Sequence, residues 1–292
     1  MWPVHFIVLM LIIGVYSFVT VNEVFTFNDY LDYTLVHNTL KYFPQPELYD
    51  SPLRYAFLKI GYEIGLVKLF PFLFSIGILF MTYLLTKQLS GKSGALLAVS
   101  IVASSNLFRL FDTSAAYDNS WILFIMVSIY FMKRQIVSFP SFIASIFCKP
   151  LSILFVPSLI FLSLKNKRLG LLYMAIGLVG VLSMGSIYDG FNSSEFLNGL
   201  GDWWYFLFAD LYMVVLVPTV MFLLAIFRKF TILVLMLNVI IMGAIVEGFT
   251  IINNEPYRYI SLIVFFAVGV GILVEKVLKV NIEKYQPKNI GR

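Results

Sequence analysis

Residues 139–163 read FPSFIASIFCKPLSILFVPSLIFLS. The stretch is apolar enough for the interior of a bilayer, yet Pro140, the pair Lys149-Pro150 and Pro157 interrupt it. Proline removes a backbone donor and clashes with the preceding turn, so one unbroken helix is disfavoured. Two readings follow: a single crossing, or a helical hairpin whose two ends lie on the same face. The choice sets the direction of every later helix, and the flanking charges make it.

Lysine and arginine gather in the cytoplasmic loops of membrane proteins. With a hairpin, one face collects Lys87, Lys92, Lys133, Arg134, Lys165, Lys167, Arg168, Arg228, Lys229, Lys276, Lys279, Lys284, Lys288 and Arg292. These are 14 of the 21 basic residues, and only Glu275 and Glu283 of the 16 acids accompany them. With a single crossing, Lys165–Arg168, Arg228, Lys229 and the basic end of the chain would move to the opposite side. The hairpin is preferred, and it places both termini on the cytoplasmic face.

The rest of the chain has the same texture. Its 292 residues are 60% hydrophobic and 13% charged, with a mean hydropathy of +0.89, outside the range of water-soluble domains. Apolar runs recur at about 17–25 residues, the length a helix needs to cross roughly 30 Å of hydrocarbon. Spans are expected at 3–21, 72–85, 94–110, 119–132, 169–187, 211–227, 231–246 and 259–274. The expectation is an all-α, multi-pass integral membrane protein, with about eight crossings plus one helical hairpin. Its membrane would be the cell membrane, or that of the endoplasmic reticulum in a eukaryote. Residues 1–280 would form one transmembrane domain and 281–292 a short basic cytoplasmic tail. The first span lacks a basic start and a small-residue cleavage site, so it reads as a retained helix rather than a signal peptide. The single Cys148 excludes a disulfide within the chain, and with His5 and His37 it is too little for a His/Cys metal centre. The pI near 9.1 follows from basic loops and implies no nucleic-acid partner.

Polar information concentrates on the outward side. The longest outward segment, 22–71, ends in an amphipathic helical stretch from Arg54 to Leu69, with Lys59 and Glu63 one turn apart. That stretch is expected to lie in the interface plane. Two further outward segments are 188–210, with Trp203 and Trp204 as interface anchors, and 247–258. Asp29 follows the first span and Asp118 opens the fourth, and an ionisable residue near a bilayer is a functional-site candidate. Their plain structural use would be helix capping. Asp32 is the neighbouring alternate, and Asp50 is either turn chemistry beside Pro52 or an acid that binds acceptor or metal. Lys149 lies between Phe147-Cys148 and Pro150-Leu151, so it has to reach polar surroundings or meet an acid. Arg258, between Tyr257 and Tyr259, reads as an interface anchor or an anion binder. Glu247 is expected to partner one of these cations.

This layout resembles the membrane glycosyltransferases of the GT-C class, especially the group of protein O-mannosyltransferases and aminoarabinose transferases. The residues that carry the resemblance run the length of the chain. An acid, Asp29, follows the first span, and Asp50-Ser51-Pro52-Leu53 stands where the family has a His-Pro-Pro-Leu-like element before an interfacial helix. Arg109 to Asp112 and Tyr117-Asp118-Asn119-Ser120 match a short external turn and the acid that opens the fourth span. Cys148-Lys149-Pro150 matches a Thr-Lys element, and Glu255-Pro256-Tyr257-Arg258-Tyr259 matches Glu-x-Arg-Tyr with one inserted residue. The departures are Asp-Ser-Pro for His-Pro-Pro, Cys148 for threonine, and no segment like the family's large external C-terminal domain.

The resemblance implies a GT-C-like bundle that moves a monosaccharide from a polyprenyl- or dolichyl-phosphate carrier to an acceptor hydroxyl at the outer face. It implies Asp29 as general base, a role worth about 10²–10⁴-fold, with inversion at the anomeric carbon and Asp118 in the same site. Lys149 and Arg258, then Arg54 and Arg109, would hold the lipid phosphate. Some members use a divalent cation, magnesium or manganese, for which Asp29, Asp118 and Glu255 would be oxygen ligands. Both versions stand. The partners would be the lipid-linked sugar donor, the bilayer and an acceptor of unspecified kind. The rival readings are a lipid-linked-sugar flippase or small transporter, which carry charge on broken helices near the midplane, and a catalytically inactive lipid-binding relative.

Overall fold

The computed structural model describes residues 4–24, 51–114, 119–187, 191–202, 210–249 and 256–285. Among these residues the chain is all-helical, with 13 α-helices and no strand. We label them α1 (Val4–Val24), α2 (Pro52–Glu63), α3 (Leu69–Leu89), α4 (Lys92–Ser104), α5 (Asn106–Phe111), α6 (Ser120–Tyr130) and α7 (Gln135–Cys148). After a 3₁₀ segment, Pro150–Phe155, come α8 (Val156–Leu162), α9 (Lys167–Ile187), α10 (Ser193–Asp202), α11 (Leu211–Ile226) and α12 (Phe230–Gly248). A 3₁₀ turn, Pro256–Tyr259, leads into α13 (Ile260–Tyr285). Among the described residues, four helices are long and apolar enough to cross a membrane: α1, α3, α12 and the Ile260–Leu278 part of α13.

The helices share two common ends. At one end the tips of α3 and α6, Lys133, residues Lys165–Arg168 and Thr231 at the start of α12 surround a single cavity. At that same end Glu275 of α13 accepts from the Gly94 amide at 2.9 Å, and Lys276 lies 3.8 Å from the Phe227 ring centre. At the opposite end Tyr16 and Thr20 of α1 reach Asp112, beyond α5, and Asp210 reaches Ser105. The described cations of the charge count gather at the first end, which is called the basic end below.

Residues 135–166 turn back on themselves. Gln135 Nε2 donates to Asn166 Oδ1 at 2.7 Å, so the start of α7 and the residue before α9 meet. The prolines set the shape of the excursion. Lys149 is extended (φ −155, ψ 113), Pro150 starts a 3₁₀ segment, and Pro157 occupies the first turn of α8, where a missing amide costs nothing. Ser128, Ser138 and Tyr173 then tie α6, α7 and α9 together, with hydroxyl contacts of 2.7 Å and 3.0 Å to Tyr173. Polar contacts of this kind hold helices together where surrounding lipid is as apolar as the core.

The amphipathic stretch of the outward segment folds as α2, and Lys59 and Glu63 pair at 3.7 Å. Its buried face is Tyr55, Leu58 and Gly61. The helix stops short of Leu69 because Gly65 adopts φ +74 and donates to the Tyr62 carbonyl, a left-handed C-terminal cap. The expected span 94–110 is also corrected: the helix breaks at Ser105, which is extended (φ −69, ψ 125) between α4 and α5. Past the expected end of the last span, α13 continues through Tyr285 into the stretch read as a tail.

Candidate functional site

The non-basic end holds two buried carboxylates. Asp112 is 2% exposed, and its Oδ2 accepts from Tyr16 Oη at 2.7 Å and Thr20 Oγ1 at 3.1 Å. Its backbone carbonyl accepts from Ser75 Oγ at 2.7 Å, and Asn119 Nδ2 donates onward to Ser75 Oγ and the Phe111 carbonyl, both at 3.3 Å. One acid thus gathers α1, α3, the end of α5 and the start of α6. A buried carboxylate is tolerable only with such donors around it.

Asp210 is 1% exposed and explains the helix break. Its carboxylate accepts from the Ser105 hydroxyl, from the Asn106 amide at 2.8 Å and from the Leu107 amide at 3.1 Å. Ser105 Oγ in turn accepts from the Phe108 amide at 3.1 Å. The first amides of α5 have no partner within their own helix, and a negative charge there is also favoured by the helix dipole. An unbroken helix through Ser105 would have left Asp210 buried without those donors.

The cations expected to bind phosphate are spread around this end. Arg109, half-buried on α5, lines a cavity of about 430 Å³ between α1 and α4. The walls are otherwise mostly apolar, from Leu11 and Ile12 to Val15 and Val19, with Tyr16 beside Arg109. Leu11 and Val15 are exposed on the outside of the bundle, so the cavity opens sideways. Lys149 sits half-buried at the tip of the turned-back segment, its Nζ 5.8 Å from the Trp121 ring centre, within cation–π range. Arg258 is 5% exposed on the 3₁₀ turn that packs against α5. Arg54 is half-buried on α2 with its guanidinium 5.3 Å from the Tyr55 ring centre. Among the described residues Arg109 is the cation on the wall of this cavity.

Asp29, Asp32, Asp50, Asp118 and Glu255 lie outside the described residues, and so do Trp203 and Trp204. The trio expected to hold a divalent cation is therefore outside them too. Among the described residues no three His, Cys, Asp or Glu side chains gather as a metal-binding group. Among the described residues Glu247 makes no ion pair; it packs against Gly199 of α10, and its Oε2 has no hydrogen-bond partner there.

Asp112 and Asp210 are the residues that sequence reasoning passed over. Asp112 entered only as the end of the Arg109–Asp112 turn and Asp210 only as the end of the outward segment 188–210. The available signal was their closeness to helix ends, Asp112 after Arg109-Leu110-Phe111 and Asp210 directly before Leu211. No family model matches the chain, and neither a curated protein nor a solved structure does.

Proposed function

We propose that the chain is a polytopic membrane glycosyltransferase, a GT-C-like bundle of eight crossings plus one hairpin with both termini cytoplasmic. It moves a monosaccharide from a polyprenyl- or dolichyl-phosphate carrier to an acceptor hydroxyl at the outer face. The observation that carries this reading is the sideways-open cavity between α1 and α4, whose apolar walls end at Arg109 and Tyr16. An isoprenoid chain fits such walls, and a guanidinium at their end suits the phosphate. The basic loops at the opposite end support an outward placement of this cavity.

In the proposed reaction the acceptor oxygen attacks the anomeric carbon from the face opposite the phosphate. The bond from that carbon to the phosphate oxygen breaks, the lipid phosphate leaves with the electron pair, and the acceptor proton passes to Asp29. Asp118 belongs to the same site. Lys149, Arg258, Arg54 and Arg109 supply positive charge at the outer end, and a site shielded from water strengthens each contribution.

The test uses purified protein in proteoliposomes with a panel of polyprenyl-phosphate monosaccharides and a hydroxyl acceptor. Release of free polyprenyl phosphate is expected from the wild type, and Asp29→Asn should bind donor without releasing it. Donor binding with no release across the panel would sink the transferase.

A second reading, a lipid-linked-sugar flippase, draws on two interrupted helices: the break at Ser105 beside Asp210, and the extended Lys149 between α7 and its 3₁₀ segment. Transporters place their sites at such breaks. Movement of a fluorescent lipid-linked sugar between leaflets, without its hydrolysis, would favour it.

A further inference from the structure

At the basic end, remote from the proposed transfer site, lies a cavity of about 690 Å³. Lys133, Lys165, Lys167 and Arg168 all stand on its wall, and no Asp or Glu does among the described residues. None of the four forms an ion pair among the described residues. The fold brings them together: Lys133 precedes α7 and the other three follow α8, so the turned-back segment carries both groups to one place. The 2.7 Å bond from Gln135 to Asn166 fixes that closure. Like charges crowded on one wall repel one another, and the arrangement becomes favourable when an anion shares the space.

The rest of the wall decides what kind of anion. Gln88, Asn166 and Thr231 offer neutral hydrogen-bonding groups, while Leu85, Leu89 and Leu162 supply apolar surface. A cavity of this size falls within the usual range for ligand sites, and basic pockets between membrane helices suit lipid headgroups. We propose that this cavity binds the phosphate diester headgroup of an anionic phospholipid, with the four cations around the phosphate and the acyl chains against the apolar wall. The site is independent of the transferase reading, since it lies at the other end of the bundle.

The experiment is native mass spectrometry of the full chain, released from micelles doped with phosphatidylglycerol or phosphatidylcholine. The wild type should retain phosphatidylglycerol and not phosphatidylcholine. The triple variant Lys165→Gln/Lys167→Gln/Arg168→Gln should lose that retention at least about tenfold. A control with the same charge change at the same end but off the cavity wall, Lys87→Gln/Arg134→Gln/Lys229→Gln, should keep it. Each variant is first checked for a cooperative melt in phosphatidylcholine. If the triple variant does not fold, Lys133→Gln/Lys165→Gln is read in its place, with Lys133→Arg/Lys165→Arg as the charge-keeping partner. Equal loss in cavity and control variants would mean diffuse attraction and overturn the site. So would equal retention of phosphatidylcholine. Glycerol 3-phosphate that displaces the lipid at stoichiometric concentration would overturn the lipid assignment in favour of a soluble phosphate ester.

Discussion

The Tyr16 hydroxyl donates to the Asp112 carboxylate at 2.7 Å across 96 residues of sequence, tying the first helix to the far end of α5. Tyr16 also lines the cavity that ends at Arg109, so the bond holds one cavity wall against the acid behind it. Tyr16→Phe removes the donor and leaves Thr20 Oγ1 at 3.1 Å. A hydrogen bond to a charged group contributes about 1.5–3 kcal/mol in soluble proteins, whereas interhelical bonds in membranes average about 0.6 kcal/mol. The buried carboxylate here retains a second donor, so a loss of about 1–2 kcal/mol is expected from these limits. Reversible unfolding in mixed micelles measures it. In Asp112→Asn the same tyrosine substitution should cost less, and an equal cost in both backgrounds would show that the pair does not interact.

Asp210→Ala is expected to be worse. It removes the acceptor for the Asn106 and Leu107 amides and the Ser105 hydroxyl together. Loss of a cap costs about 0.5–2 kcal/mol, and each buried donor left unpaired adds about 1–3 kcal/mol. A total near 3 kcal/mol is expected, with local opening at α5. Hydrogen exchange of the Asn106–Phe111 amides should rise selectively. Asp210→Asn keeps one acceptor oxygen and should fall between wild type and alanine. Unchanged exchange in Asp210→Ala would remove the acid from its capping role.

That break marks where sequence reading ends. The apolar runs predicted most of the helices, and the charge count predicted that Lys133 and Lys165 share an end, because hydropathy and charge are local properties. Lys59 and Glu63 were legible for the same reason: their spacing alone brings them together on a helix. The sequence Ala103-Ser104-Ser105-Asn106 contains neither proline nor glycine, and its one local signal is Ser105 itself, a residue type favoured at helix starts. The rest of the cap comes from a carboxylate 105 residues away, and Asp112 likewise depends on a distant partner, Tyr16. Of the expected cations, Arg109 emerged on the sideways-open cavity, although Lys149 and Arg258 had stronger local grounds.

Helix α4 crosses α13 where Gly94 and Gly271 face each other. A Cβ on either would overlap the backbone carbonyl oxygen of the other, and backbone cannot swing aside like a flexible side chain. Small residues at such crossings allow the close approach that membrane helices rely on. Gly94→Ala is expected to cost about 1–3 kcal/mol by overpacking and to loosen the α4–α13 contact. Gly14, on α1, has nothing within 4 Å of a built Cβ, so Gly14→Ala should be neutral or slightly stabilising. Parallel melts of the two variants check this, and equal melting temperatures would refute the close crossing.

Arg109→Ala tests the cavity in the proposed reaction. Loss of a positioned donor to a developing charge typically costs about 10²–10³ in turnover. Release of polyprenyl phosphate should fall by about 100-fold, with Arg109→Lys intermediate because it keeps the charge but not the two-pronged geometry. The sign of involvement is a fall in donor affinity of similar size at every isoprenoid length, because the guanidinium meets the phosphate and not the chain. A variant with unchanged donor affinity and turnover would remove Arg109 from the site and leave Lys149 and Arg258 as the phosphate ligands.

Orientation can be read from the turned-back segment. The 2.7 Å bond from Gln135 to Asn166 brings the two ends of residues 135–166 together, so both ends lie on one side. Lys133→Cys and Lys165→Cys should therefore react with a membrane-impermeant maleimide from the same side of sealed vesicles. Lys229→Cys should join them. Ser194→Cys, exposed at the start of α10, should react from the other side. The native Cys148 is 1% exposed and should stay silent, giving a natural background for these single additions. A single crossing between residues 139 and 163 would instead put Lys133 and Lys165 on opposite faces. That pattern would contradict the bond between Gln135 and Asn166, and with it the convergence of four cations at one end.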